Sequence, residues 1–127
     1  MAGSRAIIPT RCNIGAAELS RRRVVAIVLT GATAVVAVAL LAAGLPHLAR
    51  IGLWPFAAGA GVSWLQVTRR FCVRFGAQGV ENFGPLGAEI PVDPAQRAAD
   101  ARRATLMILE GVLAGLVVTT LFVVLPL

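Results

Sequence analysis

Residues 21–46 read RRRVVAIVLTGATAVVAVALLAAGLP: three arginines, then an uncharged apolar run that stops at Gly44-Leu45-Pro46. The apolar part, residues 24–45, is long enough for a helix to cross a hydrocarbon core, which takes roughly 20 residues. A cleavable signal peptide is the competing reading, because Ala42-Ala43-Gly44 offers small residues to a peptidase. Against it, a signal peptide has an apolar core of about 7–15 residues, and the leader ahead of this run is long. The membrane helix is the better fit.

Two further apolar stretches flank arginines in the same way. The second starts at Leu48 or Ile51 and ends at Thr68, with Arg69-Arg70 and Arg74 directly after it. Arg50 falls at its outer lip, where a long side chain reaches headgroups. Trp54 and Trp64 lie near opposite ends, as aromatic belts require. Pro55 belongs in the first turn, where a missing amide donor does little harm. The third stretch, 105–127, is entered through Arg102-Arg103.

Threaded in order, the three stretches leave every basic residue except Arg50 on one side, and all 12 basic residues are arginines. Loops that stay in the cytoplasm keep Arg and Lys, whereas short translocated loops lack them. This predicts an all-α membrane protein with three transmembrane helices and a short cytoplasmic helix leading into the third. The N-terminus is expected inside and the C-terminus outside. The segments are a cytoplasmic 1–23, a transmembrane hairpin 24–68, a cytoplasmic loop and helix 69–104, and the third helix 105–127. Arg21, Arg22, Arg23, Arg69, Arg70, Arg74, Arg102 and Arg103 are expected at lipid headgroups, where they set the topology.

Composition agrees. Hydrophobic residues make up 57% of the 127 and charged residues 14%, against about 25% charged in soluble domains. The mean hydropathy is +0.81. A net charge of +6 could suggest nucleic acid. Arginines that rim apolar stretches point instead to anionic lipid headgroups, so lipids are the expected partner and nucleic acid is not.

Residues 76–91 hold Gly76, Gly79, Gly84-Pro85, Gly87 and Pro91 and read as a loop. Asp93-Pro94-Ala95-Gln96 then reads as a helix start, with Asp at the N-cap, Pro first and Gln third. Asp93 with Arg97 and Gln96 with Asp100 have i, i+4 spacing. Asn13 can cap a helix running towards the Arg triplet. Phe71 and Phe75 suit either an interfacial stretch with rings down or the frayed end of the second helix.

Candidate sites are few. Glu110 is the one carboxylate inside a predicted span, read either as a proton site or as an ion pair with Arg69, Arg70 or the Arg21–Arg23 cluster; the pairing is favoured, since no deeper carboxylate or histidine forms a relay. Gly111 and Gly115, with Ala57 and Gly61 on the second span, have the small-xxx-small spacing that lets helices approach, within one subunit or between subunits. Cys12 and Cys72 are both expected in the cytoplasm, where a standing disulfide is not expected. Arginine neighbours favour a reactive thiolate pair, whereas semi-buried free thiols are the plainer reading. His47, the sole histidine, reads as a solvated turn residue. No metal set, haem site or nucleotide motif is present in the sequence, so no cofactor is expected.

Asn13-Ile14-Gly15, Glu18, Arg21-Arg22, a second span with Trp54 and Gly59, then Phe71-Cys72 and Phe75-Gly76 together resemble the YgaP-like small inner-membrane domains, a family of unknown function. The resemblance covers about residues 12–79. It implies a bacterial inner membrane, a two-helix hairpin with its cysteine at the cytoplasmic face, and self-association. The family's proline after that cysteine is replaced here by Val73, the third span is additional, and no rhodanese domain is present, so sulfurtransfer does not carry over. The expected role is a non-catalytic interaction or accessory subunit packing through the glycine faces of spans two and three. The alternatives are a thiol redox or sulfur carrier using Cys12 and Cys72, and a small transporter or ion-conducting oligomer.

Overall fold

The computed structural model describes residues 12–126; the first eleven positions, part of the segment expected at 1–23, and Leu127 lie outside the described residues. The chain is mostly helical. Helix α1 spans Ala16–Ala42, α2 Trp54–Arg69, α3 Val73–Gln78 and α4 Pro94–Val124. A 3-10 helix at His47–Leu53 precedes α2, and a two-residue antiparallel hairpin, β1 Val80–Glu81 with β2 Ile90–Pro91, precedes α4.

Helices α1 and α4 follow the sequence expectations closely. Helix α1 runs unbroken through Arg21-Arg22-Arg23 into the apolar run, over 27 residues. Its alanine- and valine-rich run has no proline, and the single Gly31 within it weakens the helix without breaking it. Helix α4 begins at Pro94 with Asp93 as its N-cap residue and continues for 31 residues. Both are long and apolar enough to cross a membrane, with mean hydropathies of 2.7 and 2.3 in their most apolar windows. Only 6% of that window in α1 and 22% in α4 is buried by the rest of the chain. A helix apolar all round and yet uncovered by protein is suited to lipid.

The stretch 48–68 is not a single α-helix. Pro55 has no amide proton to continue an α ladder towards Ile51. The Trp54 N–H bonds the Ile51 carbonyl, three residues back, so the first part winds as 3-10. Helix α2 proper has 16 residues. It packs on α1 on one side and on α4 on the other.

The segment after α2 also departs from expectation. Arg70 turns left-handed (φ 51°, ψ 44°) and ends the helix, with the Phe71 N–H returning to the Gln66 carbonyl at 3.1 Å. Phe71 and Phe75 are therefore neither interfacial nor frayed: both are buried. Phe75 packs with Ile14 and Cys72, and Phe71 with Ala104 and Met107. The expected loop at 76–91 contains the end of α3 and the hairpin. Together with residues 12–15 these make a small cap over the arginine-rich end of the helices.

Candidate functional site

The cap is organised by polar side chains that sequence spacing does not connect. Residues 13–15 run beside residue 82 in a parallel bridge: Asn82 N–H donates to the Asn13 carbonyl (3.0 Å) and Gly15 N–H to the Asn82 carbonyl (2.8 Å). The Asn13 side chain does not cap a helix; Gly15 holds that place. Asn13 instead clamps the peptide groups of Cys72, accepting from its N–H at 2.7 Å and donating to its carbonyl at 3.1 Å. Asn82 Nδ2 donates to Glu18 Oε2 (3.2 Å) and to the Pro85 carbonyl (2.8 Å), while its Oδ1 accepts from Gly84 N–H (2.9 Å). Glu18 is buried and lies 3.6 Å from the Arg22 guanidinium one turn on. Glu18 Oε2 thus has a hydrogen bond, as buried polar groups require, whereas its Oε1 accepts none and is balanced by the charge of Arg22.

A second set of contacts closes the entry to α4. Gln66 Oε1 accepts from Val73 N–H at 3.0 Å and so fixes the start of α3. Gln96 Nε2 donates to Asp100 Oδ1 at 2.9 Å. That confirms the i, i+4 pair but replaces the capping box, since Asp93 makes no side-chain cap bond. Arg97 lies against Gly79. Arg103 stacks over the Phe71 ring at 4.7 Å, Arg22 over Phe75 at 5.6 Å and Arg74 over Phe75 at 5.9 Å. Three of the arginines expected at headgroups thus cover the aromatic core of the cap.

Glu110 is paired, as favoured from sequence. Arg69 donates through both guanidinium nitrogens, to Oε1 at 2.9 Å and Oε2 at 2.7 Å, a two-pronged geometry with both side chains partly exposed. The pair lies beside a cleft of about 580 Å³ between the end of α2 and the first half of α4, which Arg102 and Arg103 also line.

The small residues have a definite use. A Cβ on Gly115 would lie 2.5 Å from Ala58 N and 3.0 Å from the Ala57 carbonyl carbon. One on Gly111 would meet Val62, and one on Gly61 would come 3.0 Å from the Gly111 carbonyl oxygen. Ala57, Gly61, Gly111 and Gly115 therefore join α2 to α4 inside one chain, the first of the two arrangements their spacing left open. Close backbone approach consumes them.

Neither cysteine is in a disulfide; Cys12 is exposed and Cys72 buried. Their segments meet through the Asn13 clamp, and the Cys12 thiol points at the Arg69 carbonyl at 3.9 Å. At the opposite end, two expectations are overturned. His47 is not simply solvated: its Nδ1 donates to the Val123 carbonyl at 2.8 Å. Arg50 does not reach out to headgroups but is buried and donates to the Phe122 and Leu125 carbonyls, each at 3.0 Å. Carbonyls at a helix C-terminus lack intrahelical partners and attract cations, so this corner caps α4. Trp54 donates to the Val112 carbonyl (3.2 Å), and Trp64 to Thr30 Oγ1 (2.7 Å).

Asn82, Gln66 and the capping role of Arg50 were missed from sequence, since each acts on partners that only the tertiary fold supplies. Among the described residues no group of three or more His, Cys, Asp or Glu could hold a metal ion. What fold and site define is a mostly helical chain with two helices fit to cross a membrane and an arginine-rich cap at one end. No family model, curated protein or solved structure matches the chain.

Proposed function

We propose that the chain is a three-span protein of the bacterial inner membrane and acts as a non-catalytic accessory subunit that docks a protein partner on its cytoplasmic side. The 3-10 helix and α2 supply the middle span. Seven residues at about 2.0 Å and sixteen at about 1.5 Å reach roughly 38 Å, more than the ~30 Å core. From Arg103 to Val124 the distance is about 32 Å on the same rise, which suits arginines at one interface and the His47–Arg50 corner at the other. The positive-inside rule then orients the cap towards the cytoplasm.

The observation that carries the docking role is the hairpin tip. Phe83, Leu86 and Ile90 are each more than half exposed. The backbone of Phe83 touches Gly15, ahead of α1, and Arg22 lies seven residues further along, about 10 Å nearer the lipid. The apolar tip thus stands on the water side of the arginine rim, where acyl chains do not cover it, and such patches mark interaction sites. The test is affinity purification of the tagged chain in mild detergent, wild type beside Phe83→Ser/Leu86→Ser. A companion protein retained by the first and lost by the second supports the role; identical co-purification profiles sink it. Reporter fusions at residue 87 and at the C-terminus should report opposite compartments.

The likeness to YgaP-like domains is part of this proposal, supported by the direct bonding of Asn13 to Cys72. A thiol function is the second reading. The meeting of the Cys12 and Cys72 segments favours it, and the burial of Cys72 works against it. Ion transport gains no support from Glu110, whose two oxygens are held by Arg69.

A further inference from the structure

The cleft beside the Arg69–Glu110 pair has a second compartment. Across Glu110 lies a shallower groove of about 300 Å³ between α2 and α4, lined by Gly61, Trp64, Leu65 and Ala114. Glu110 borders both spaces. The cleft brings three arginines, Arg69, Arg102 and Arg103, beside that single carboxylate, and Arg102 is the exposed one of the last two. The groove is apolar apart from its edge. Charge and grease are therefore adjacent, and they are ordered along the axis of α4. Arg102 is exposed at the depth where the apolar run begins, and Glu110 lies about 12 Å further in on the helical rise. Its pairing with Arg69 neutralises the passage between the two compartments.

We infer that cleft and groove form one binding site for an anionic phospholipid of the arginine-side leaflet. The phosphate lies against Arg102 and Arg103, whose planar guanidinium groups suit two-pronged contact with phosphate oxygens. One acyl chain passes over the Arg69–Glu110 pair into the groove beside Trp64. The inference rests on the membrane-spanning reading above, and adds to it a specific site in place of a diffuse basic rim.

Trp64 serves as the reporter. The full chain, carrying Trp54→Phe so that one tryptophan remains, is reconstituted in phosphatidylcholine bilayers with brominated phosphatidylglycerol or brominated phosphatidylcholine at equal amounts. The brominated anionic lipid is expected to quench Trp64 more strongly at low mole fraction. Arg102→Gln should lower that preference roughly fivefold, as one arginine near the surface is worth about that factor. Glu110→Gln, which frees the charge of Arg69, should raise it. Helical circular dichroism confirms that each variant is folded. Equal quenching by both lipids, or a preference unchanged in Arg102→Gln/Arg103→Gln, overturns the site while leaving the spanning reading intact. Quenching by neither lipid overturns both. Reversal of the preference by millimolar inorganic phosphate assigns the cleft to a free anion and overturns the lipid.

Discussion

Helices α1 and α4 are alike in length and greasiness and differ in how they are held. Helix α4 lays Gly111 and Gly115 directly on the backbone of α2 and buries Ala104, Met107 and Thr119 besides. Helix α1 buries only Glu18 and Ala26. It is fixed by polar links, Glu18 to Asn82 at its cap end and Thr30 to Trp64 midway, and by Leu29 resting near Gly59. In lipid, apolar area does not drive helices together, so close backbone approach and hydrogen bonds decide adhesion. The α2–α4 seam has the first and α1 depends on the second. Equal hydropathy therefore does not imply equal attachment.

That contrast breaks most sharply at the seam. Gly115→Val places side-chain atoms on the backbone of Ala57 and Ala58, and overpacking of this kind costs about 3 kcal/mol or more. Unfolding in mixed micelles should show it, and a variant as stable as wild type would refute the seam. Asn13→Ala leaves the buried N–H of Cys72 without its acceptor, while the Cys72 carbonyl keeps the Gly76 N–H, at a cost of about 1–3 kcal/mol. It should also expose Cys72 to a maleimide that, in the wild type, labels Cys12 alone. Equal labelling of both thiols in the intact protein would contradict the burial and revive the thiol reading.

Smaller effects refine the comparison on the α1 side. Trp64→Phe removes the hydrogen bond to Thr30 and should cost roughly 0.6 kcal/mol, with faster hydrogen exchange in α1 than in α4. Uniform acceleration in both helices would show that α1 is not the more loosely held. Arg70→Gly relieves a left-handed residue at the end of α2 and should stabilise the fold by up to about 1 kcal/mol. A loss of stability would mean that the guanidinium matters more than the backbone.

The extents of α1 and α4 were legible because unbroken apolar runs and the Asp93-Pro94 start are local signals. The pairing of Glu110 was legible too, since depth alone narrows the choice of partners. The cap was not. Asn13 and Cys72 stand 59 residues apart, and an asparagine clamping a distant peptide leaves no periodic trace. The 3-10 winding ahead of α2 was hidden as well, because hydropathy counts residues without asking which hydrogen bonds Pro55 forbids. The small-residue spacing was recognised, but spacing cannot say whose backbone fills the gap.

The Arg50 corner carries a consequence for the order in which the molecule assembles. Its acceptors on Phe122 and Leu125 are synthesised 72 and 75 residues after Arg50 itself. At 5–20 residues per second the ribosome needs roughly 4–15 s to make that stretch. During this interval the two carbonyls that will receive the guanidinium do not yet exist. The early hairpin thus waits with an open latch, and the arrival of the late helix shuts it.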